Sequence, residues 1–198
     1  MSTSLGGSTS ASQQQPRSAA NSWAWLALAL AAVGTLGSLA LSLALGLRAC
    51  PLCFYQRSFV MGVFAVLAIG VIADRGRASL HSLLALPLAV AGLAIALFHT
   101  YLVLSGALEC PPGLLALGTA PVQSAAMFAV LTLAMVLAAW FGRDQASHPG
   151  AAGLAAMALG LVLAYACIAS APPLPPAPAA PYDPAKQPLD TCRPPYRG

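Results

Sequence analysis

Residues 23–47 read WAWLALALAAVGTLGSLALSLALGL, a run without a single charged side chain. A transmembrane helix needs about 20 consecutive apolar residues to cross the hydrocarbon core of a bilayer. Lipid offers no hydrogen-bond partner to backbone amides and carbonyls, so a run of this kind must satisfy them within itself as a helix. The stretch therefore predicts a membrane-spanning helix and argues against a soluble fold.

Four further apolar runs follow, at 54–73, 79–105, 122–141 and 151–171. Between positions 58 and 182 there are six charged residues, and they lie in three places: Asp74, Arg75 and Arg77, then Glu109, then Arg143 and Asp144. Of the 198 residues 59% are hydrophobic and 7% are charged, whereas average soluble domains are about 25% charged. The sequence predicts an all-α membrane protein whose five transmembrane helices occupy residues 23–171.

The two ends of the chain have a different composition. Residues 1–22 consist largely of Ser, Gln, Ala and Gly, which is typical of disorder, and we expect a disordered cytoplasmic leader. Residues 172–198 contain ten of the seventeen prolines. Proline excludes a regular helix, so we expect this segment to be an extended, proline-rich tail in the aqueous phase.

The basic residues of the loops predict the orientation of the chain. With a cytoplasmic amino terminus, the basic residues inside are Arg17, Arg75, Arg77 and Arg143, and those outside are Arg48, Arg57, Lys186, Arg193 and Arg197. The outer residues count less toward the orientation, because Arg48 and Arg57 flank the cysteine pair and the tail residues lie far from the last span. Five spans then place the tail outside, on the same face as four of the five cysteines: Cys50, Cys53, Cys110 and Cys192. Disulfides persist on the oxidising side of a bacterial membrane. We therefore expect a multi-pass protein of the bacterial inner membrane, surrounded by lipid, with a periplasmic tail.

Cys50-Pro51-Leu52-Cys53 is a Cys-x-x-Cys motif directly before the second apolar run. The spacing permits a short, reducible disulfide, and a helix amino terminus favours a thiolate. We expect Cys53 to be the more acidic thiol, because Arg57 follows it by one helical turn on the same face. An arginine in a transmembrane helix costs about 2.5–3.5 kcal/mol at the helix centre and less near the interface, so Arg57 calls for a functional explanation.

Two simpler interpretations of the motif are a zinc half-site and a purely structural disulfide. Zinc would require two further well-spaced ligands. The sequence contains no second Cys-x-x-Cys and no His-x-His. We therefore predict no metal site.

The segment Cys50-Pro51-Leu52-Cys53-Phe54-Tyr55-Gln56-Arg57 resembles the Cys-x-x-Cys-x-Tyr-x-Arg signature of the DsbB family of disulfide bond formation proteins. The similarity continues at Phe98-His99-Thr100-Tyr101-Leu102 and covers roughly residues 23–141. The resemblance implies a four-helix transmembrane bundle, to which this chain adds a fifth transmembrane helix. It also implies that electrons pass from a periplasmic thioredoxin-like thiol oxidase, DsbA, through two cysteine pairs to a membrane quinone, ubiquinone or menaquinone.

The resemblance also assigns roles by position. Cys50 and Cys53 would form the pair on the quinone side, with Cys53 facing the quinone. Arg57 would contact a ring oxygen of the quinone, and His99 would line the same pocket. The simpler interpretation of His99 is a histidine that caps a helix end at the interface.

The second cysteine pair departs from the family pattern. Members of the family keep both cysteines in one long outer loop, whereas the loop at 106–121 contains Cys110 alone. We expect Cys192 of the tail to be its disulfide partner, because the intervening residues could cross the outer face of the bundle at roughly 3 Å each. The rival partner is Cys167, which lies about one turn inside the fifth span, where a free cysteine usually behaves as a small hydrophobe.

These features favour a quinone-reducing protein-disulfide oxidoreductase whose catalytic cysteines are Cys50, Cys53, Cys110 and Cys192. The alternatives are a redox protein similar to vitamin K epoxide reductase, a Cys/His metal-binding or transport protein, and a structural membrane subunit. The nine basic residues are scattered, which argues against a nucleic-acid partner.

Overall fold

The computed structural model describes residues 10–114, 117–142 and 149–197. These residues form five α-helices, α1 (Ser10–Leu43), α2 (Pro51–Ala73), α3 (Ala78–Leu104), α4 (Ala120–Phe141) and α5 (Pro149–Ser170). Each helix contains a stretch that is long and apolar enough to cross a bilayer. The β-structure within the described residues is limited to two isolated bridges. The prediction of an all-α membrane fold with five spans is confirmed.

All five helices begin earlier than the apolar runs predicted, and the difference exceeds two residues for α1 and α2. α1 begins at Ser10, so the part of the expected disordered leader from residue 10 onward is helical; residues 1–9 lie outside the described residues. Propagation of a helix costs little once a stable segment has nucleated it, and the apolar run that follows supplies that segment. α2 begins at Pro51 rather than at residue 54. Proline is well suited to the first turn of a helix, because its missing N–H would be unpaired there in any case.

The turn between α2 and α3 accounts for the first cluster of charges. The Asp74 carboxylate accepts a hydrogen bond of 2.8 Å from the Gly76 N–H. It also lies 3.3 Å from the Arg77 guanidinium. A single 3-10 turn, Arg75–Arg77, completes the connection. These residues form the short polar turn that the sequence predicted between two spans, whereas Arg143 and Asp144 lie outside the described residues.

α3 is the central helix of the bundle and packs against α2, α4 and α5, while α1 packs mainly against α4 and α2. In the most apolar window of α3, 50% of the residues are buried, compared with 11% for α1 and 17% for α5. The large apolar side chains exposed on these two outer helices include Val33, Leu36, Leu154 and Val162. Hydrocarbon-facing residues of a membrane protein have this character, so α1 and α5 present suitable surfaces to lipid.

Glycine permits two close helix contacts with α3. At Gly92, a Cβ atom would lie 2.1 Å from the ring of Phe128 in α4, and that ring is fully buried. At Gly160 of α5, a Cβ atom would lie 2.7 Å from both the Pro87 carbonyl oxygen and Val90 Cβ. Small residues let transmembrane helices approach closely enough for dispersion contacts to hold them together.

We predict that Gly92→Ala destabilises the bundle by about 1–3 kcal/mol, because the new methyl group overlaps the Phe128 ring. Gly153→Ala is the matched control, since a Cβ there meets no atom within 4 Å. Thermal unfolding in detergent measures both effects. Phe128→Leu should partly restore the stability of the Gly92→Ala protein, and equal loss in the Gly92 and Gly153 variants would contradict the proposed contact.

Candidate functional site

The site lies at one end of the bundle, which we call the sulfur end. It is formed by residues 44–50 between α1 and α2, by the described part of the 105–119 loop, and by the tail at 171–197. A disulfide joins Cys110 of the loop to Cys192 of the tail. The structure thus contains the pairing expected from the sequence, and the rival partner Cys167 is a free thiol.

Both cysteines of this disulfide are flanked by residues that pair with each other. Glu109 and Arg193 exchange two backbone hydrogen bonds of 2.9 and 3.0 Å in an antiparallel bridge. Their side chains form an ion pair with Arg193 Nε 2.7 Å from Glu109 Oε1. The Arg193 guanidinium also stacks 3.6 Å from the centre of the Tyr182 ring. We call these contacts the Glu109–Arg193 clamp.

A second contact holds the tail against the end of α1. The Arg48 N–H donates a 2.8 Å hydrogen bond to the Asp190 carbonyl. The two side chains form an ion pair of 3.3 Å. From its prolines, the tail was expected only to be extended and aqueous. The structure also holds the tail on both sides of Cys192, because backbone bonds at positions 190 and 193 leave that short segment little freedom.

The Cys50–Cys53 pair is built on the amino terminus of α2. Cys50 is the N-cap residue, and its sulfur accepts a hydrogen bond of 3.3 Å from the Cys53 N–H. The two sulfurs are 2.9 Å apart. Hydrogen bonding from the Cys53 thiol lowers the pKa of Cys50 to about 5, against the opposing effect of burial and with a further contribution from His99.

This geometry corrects the expectation that Cys53 is the more acidic thiol. That expectation assumed a helix beginning at residue 54, with both cysteines ahead of it. Because the helix begins at Pro51, the unpaired amides of its first turn point toward Cys50, which lies at the N-cap. Cys53 is inside the first turn and acts as a donor to Cys50.

His99, near the end of α3, is fully buried among the sulfurs. Its Nε2 lies 3.5 Å from Cys110 Sγ and 3.8 Å from Cys50 Sγ, and its Nδ1 lies 4.0 Å from Cys53 Sγ. The Gln56 amide donates to Nδ1 at 3.3 Å. His99 therefore bridges the two cysteine pairs, which is a more specific position than that of a helix cap.

Arg57 crosses from α2 to α1. Its guanidinium donates to Ser38 Oγ at 2.7 Å, to the Ser38 carbonyl at 2.9 Å and to Ser42 Oγ at 2.5 Å. Ser38 and Ser42 belong to a small-residue stripe with Gly34, where a Cβ would meet Met127 at 2.8 Å. The stripe thus provides both close packing and hydrogen-bond acceptors for a charge buried in the membrane.

A cavity of about 260 Å³ opens between α1, α2 and α4 beside Arg57. Its wall includes Cys53, Gln56, Arg57 and Cys192, together with apolar side chains of α1 and α4. Cys50 and His99 are not among the described residues that line it. His99 Nε2 lies between Cys50 and Cys110, and its Nδ1 meets Cys53 and Gln56, two residues of the cavity wall. The role of His99 in the pocket stays a prediction.

Three residues of the site were missed by the sequence analysis, although each left a signal. Gln56 is a polar residue in a transmembrane helix, where it requires a partner; it is 5% exposed and contacts His99. Glu109 and Arg193 carry opposite charges directly beside the two cysteines of one disulfide. Opposite charges next to two residues expected to pair could have indicated the clamp.

Fold and site together define a multi-pass membrane protein of the disulfide-forming class. The family model for the disulfide bond formation protein DsbB matches residues 21–169, and the chain belongs to that family. It is 33% identical over 124 residues to the "probable disulfide formation protein" of Chlamydia trachomatis serovar D, an alignment that covers 58% of this chain and 90% of the relative. No solved structure matches the chain.

The first prediction from the site concerns the pKa of Cys50. In a Cys110→Ala/Cys192→Ala background, the reduced protein should lose its thiolate absorbance at 240 nm as the pH falls through about 5. Adding Cys53→Ala removes the principal donor to the Cys50 sulfur and should raise the midpoint toward about 8.5, the ordinary value of a cysteine. Cys167→Ser is the control for the remaining thiol. A midpoint that Cys53→Ala leaves unchanged would contradict the assignment.

The second prediction concerns the clamp. Arg193→Glu should make the Cys110–Cys192 disulfide about fivefold or more easier to reduce in glutathione buffers, because two carboxylates would then repel each other beside it. A repulsion of about 1 kcal/mol corresponds to that change in the equilibrium. The double exchange Glu109→Arg/Arg193→Glu should restore the original equilibrium. Lys186→Glu is the matched control, since Lys186 pairs with Asp183 on an exposed part of the tail. A double variant as easily reduced as the single one would exclude the ion pair as the cause.

Proposed function

We propose that this protein oxidises a periplasmic thioredoxin-like thiol oxidase and passes the electrons to a membrane quinone. The observation that carries the proposal is the arrangement of the sulfurs. The Sγ atoms of Cys50, Cys53 and Cys192 and a ring nitrogen of His99 all lie within 4.8 Å of one another. Cys53 also lines the cavity beside Arg57, so the cluster connects an aqueous surface to a pocket within the membrane.

The first step is an exchange between the partner's dithiol and the Cys110–Cys192 disulfide. A thiolate of the partner attacks one sulfur of the disulfide, and the other sulfur leaves as a thiolate. The second thiol of the partner then attacks the mixed disulfide. The partner leaves oxidised, and both electrons and both protons remain on Cys110 and Cys192.

The second step moves the electron pair to Cys50 and Cys53. With that pair oxidised, a thiolate of the outer pair attacks the Cys50–Cys53 disulfide and forms a mixed disulfide. The second outer thiol resolves it, which restores Cys110–Cys192 and leaves two thiols at Cys50 and Cys53. His99 lies beside sulfurs of both pairs, so a neutral imidazole there can accept a proton from one sulfur and return it to another.

The cavity fits a quinone head group in both size and chemistry. About 260 Å³ of mostly apolar space meets a fixed cation at Arg57 and an amide at Gln56. A bound quinone would accept two electrons and two protons. Arg57 is held by three hydrogen bonds to α1 and places positive charge beside the Cys53 sulfur, where preorganised charge favours an electron-rich oxygen.

We place the protein in a bacterial inner membrane, with the amino terminus in the cytoplasm and the sulfur end in the periplasm. The turn at Arg75–Arg77 lies at the opposite end of α2 from the cysteine pair. Basic residues concentrate on the cytoplasmic side, and disulfide exchange belongs on the oxidising side. The basic residues of the sulfur end, Arg48, Lys186, Arg193 and Arg197, are held there by contacts within the tail and outer loops, so the cysteine pairs are the main support for this orientation.

We predict that Cys53→Ser abolishes quinone reduction by the purified protein supplied with a reduced thioredoxin-like thiol oxidase, because Cys53 is the sulfur of the inner pair that lines the cavity. The variant should still insert and should keep the Cys110–Cys192 disulfide in non-reducing peptide maps. Cys167→Ser is the control and should turn over normally. Undiminished turnover of Cys53→Ser would refute the electron path.

Arg57→Met should lower kcat/KM for the quinone by roughly tenfold or more, since the positive charge at the cavity is lost. Thiol exchange with the partner, measured without quinone, should be unchanged, because that step takes place at Cys110 and Cys192, whereas the hydrogen bonds of Arg57 are to α1. Arg77→Met, in the turn at the other end of α2, is the matched control. If both variants had the same kinetics, the role of Arg57 would be structural only.

A further inference from the structure

We propose that the fully reduced sulfur end binds one thiophilic cation, Zn²⁺ in the test below, through Cys50, Cys53, His99 and Cys192. The sequence alone contains no second Cys-x-x-Cys and no His-x-His that could complete a zinc site. The fold supplies the further ligands: the three sulfurs and a His99 ring nitrogen lie within 4.8 Å of one another. Three thiolates and one imidazole form a ligand set that is common in tetrahedral zinc sites.

The distances are close to those of such a site. Zinc–sulfur bonds of about 2.3 Å and zinc–nitrogen bonds of about 2.0–2.1 Å give tetrahedral edges of about 3.8 Å between sulfurs and about 3.6 Å between sulfur and nitrogen. Cys50 Sγ lies 3.8 Å from His99 Nε2. The Cys50 and Cys53 sulfurs, 2.9 Å apart, must separate by about 0.9 Å, which a small side-chain rotation at the helix terminus provides.

The redox state of the outer pair controls this site. Cys192 is bonded to Cys110, and zinc is ligated by thiolates, so the fourth ligand appears only when that disulfide is reduced. The Glu109–Arg193 clamp does not depend on the disulfide. It holds Cys192 near His99 after reduction and lowers the entropy lost when the cation binds.

Gln56 is suited to support the ligating histidine. Zinc-bound histidines commonly hydrogen-bond through their other ring nitrogen, which fixes the tautomer. The Gln56 amide lies 3.3 Å from Nδ1. When Nε2 carries the proton, the amide N–H of Gln56 can donate to Nδ1. When Nε2 binds a metal, Nδ1 carries the proton, and the amide can turn over so that its oxygen accepts the hydrogen bond.

Binding of Zn²⁺ at this site would also inhibit thiol exchange by the protein. This consequence alone rests on the proposed function: a cation held by Cys50, Cys53 and Cys192 occupies sulfurs of both pairs, so neither exchange step can proceed. Chelation would reverse the block, because no covalent bond between sulfurs forms or breaks when Zn²⁺ is bound or removed. The thiols release their remaining protons on binding.

The test compares the metal content of the purified full-length protein in two redox states. Protein reduced anaerobically and dialysed against Zn²⁺ should retain about one Zn²⁺ per chain, whereas the oxidised protein should retain none. Co²⁺ in place of Zn²⁺ should give sulfur-to-metal charge-transfer bands and the intense visible bands of a tetrahedral ion. Cys192→Ser and His99→Ala should each lower the affinity for Zn²⁺ at least ~100-fold. A loss of this size exceeds the effect of removing a residue that only orients a metal ligand.

Cys110→Ser and Cys167→Ser are the matched controls, and both should keep the site. Equal metal content in the oxidised and reduced proteins, or full binding by Cys192→Ser, would overturn the proposal. Loss of binding in Cys110→Ser with retention in Cys192→Ser would overturn the choice of Cys192. Metal content does not depend on turnover, so a protein that reduces no quinone but binds Zn²⁺ when reduced would contradict the proposed function and support the metal site.

Discussion

Backbone groups within a bilayer must find their partners inside the protein, and the strongly polar side chains of the sulfur end do the same. Arg57 satisfies its guanidinium with Ser38 and Ser42 of α1, which ties α2 to α1. Gln56, one residue earlier, satisfies its amide with His99 of α3. Neighbouring residues of one helix therefore reach two different helices, and the Cys50–Cys53 pair one turn away is fixed between them.

The tail can supply Cys192 only because α5 returns the chain to the sulfur end. An even number of spans would leave the chain at the opposite end from the Cys110 loop. α5 also packs beside the site, where Ala164, Cys167 and Ile168 belong to the apolar cluster around Cys50, and it meets α3 through the close contact at Gly160. The disulfide partner of Cys110 is here brought in by a fifth helix, and the tail that carries it is held in place by the disulfide, an ion pair and backbone hydrogen bonds.

The parts of the structure that depend on composition could be predicted from the sequence. Apolar runs bounded by charges define the spans, and the parity of five spans placed Cys192 on the side of Cys110. The parts that depend on where a residue lies within a single helical turn could not be predicted. The start of α2 at Pro51 rather than residue 54 makes Cys50 the N-cap, which is a local effect of proline at the first helical position. The direction of the His99 side chain on α3, which meets the sulfurs, follows from contacts between helices, and the sequence of one helix does not contain them.

The two cysteines of the motif acquire different environments from helix geometry alone. Cys50 precedes the first turn, so its sulfur collects the free amide of Cys53 and lies near His99. Cys53 belongs to that turn and lines the cavity beside Arg57. A Cys-x-x-Cys pair in a flexible loop would expose both sulfurs to the same surroundings. On a helix terminus at the membrane boundary, Cys50 and Cys53 have different neighbours, and of the two only Cys53 is among the described residues that line the cavity.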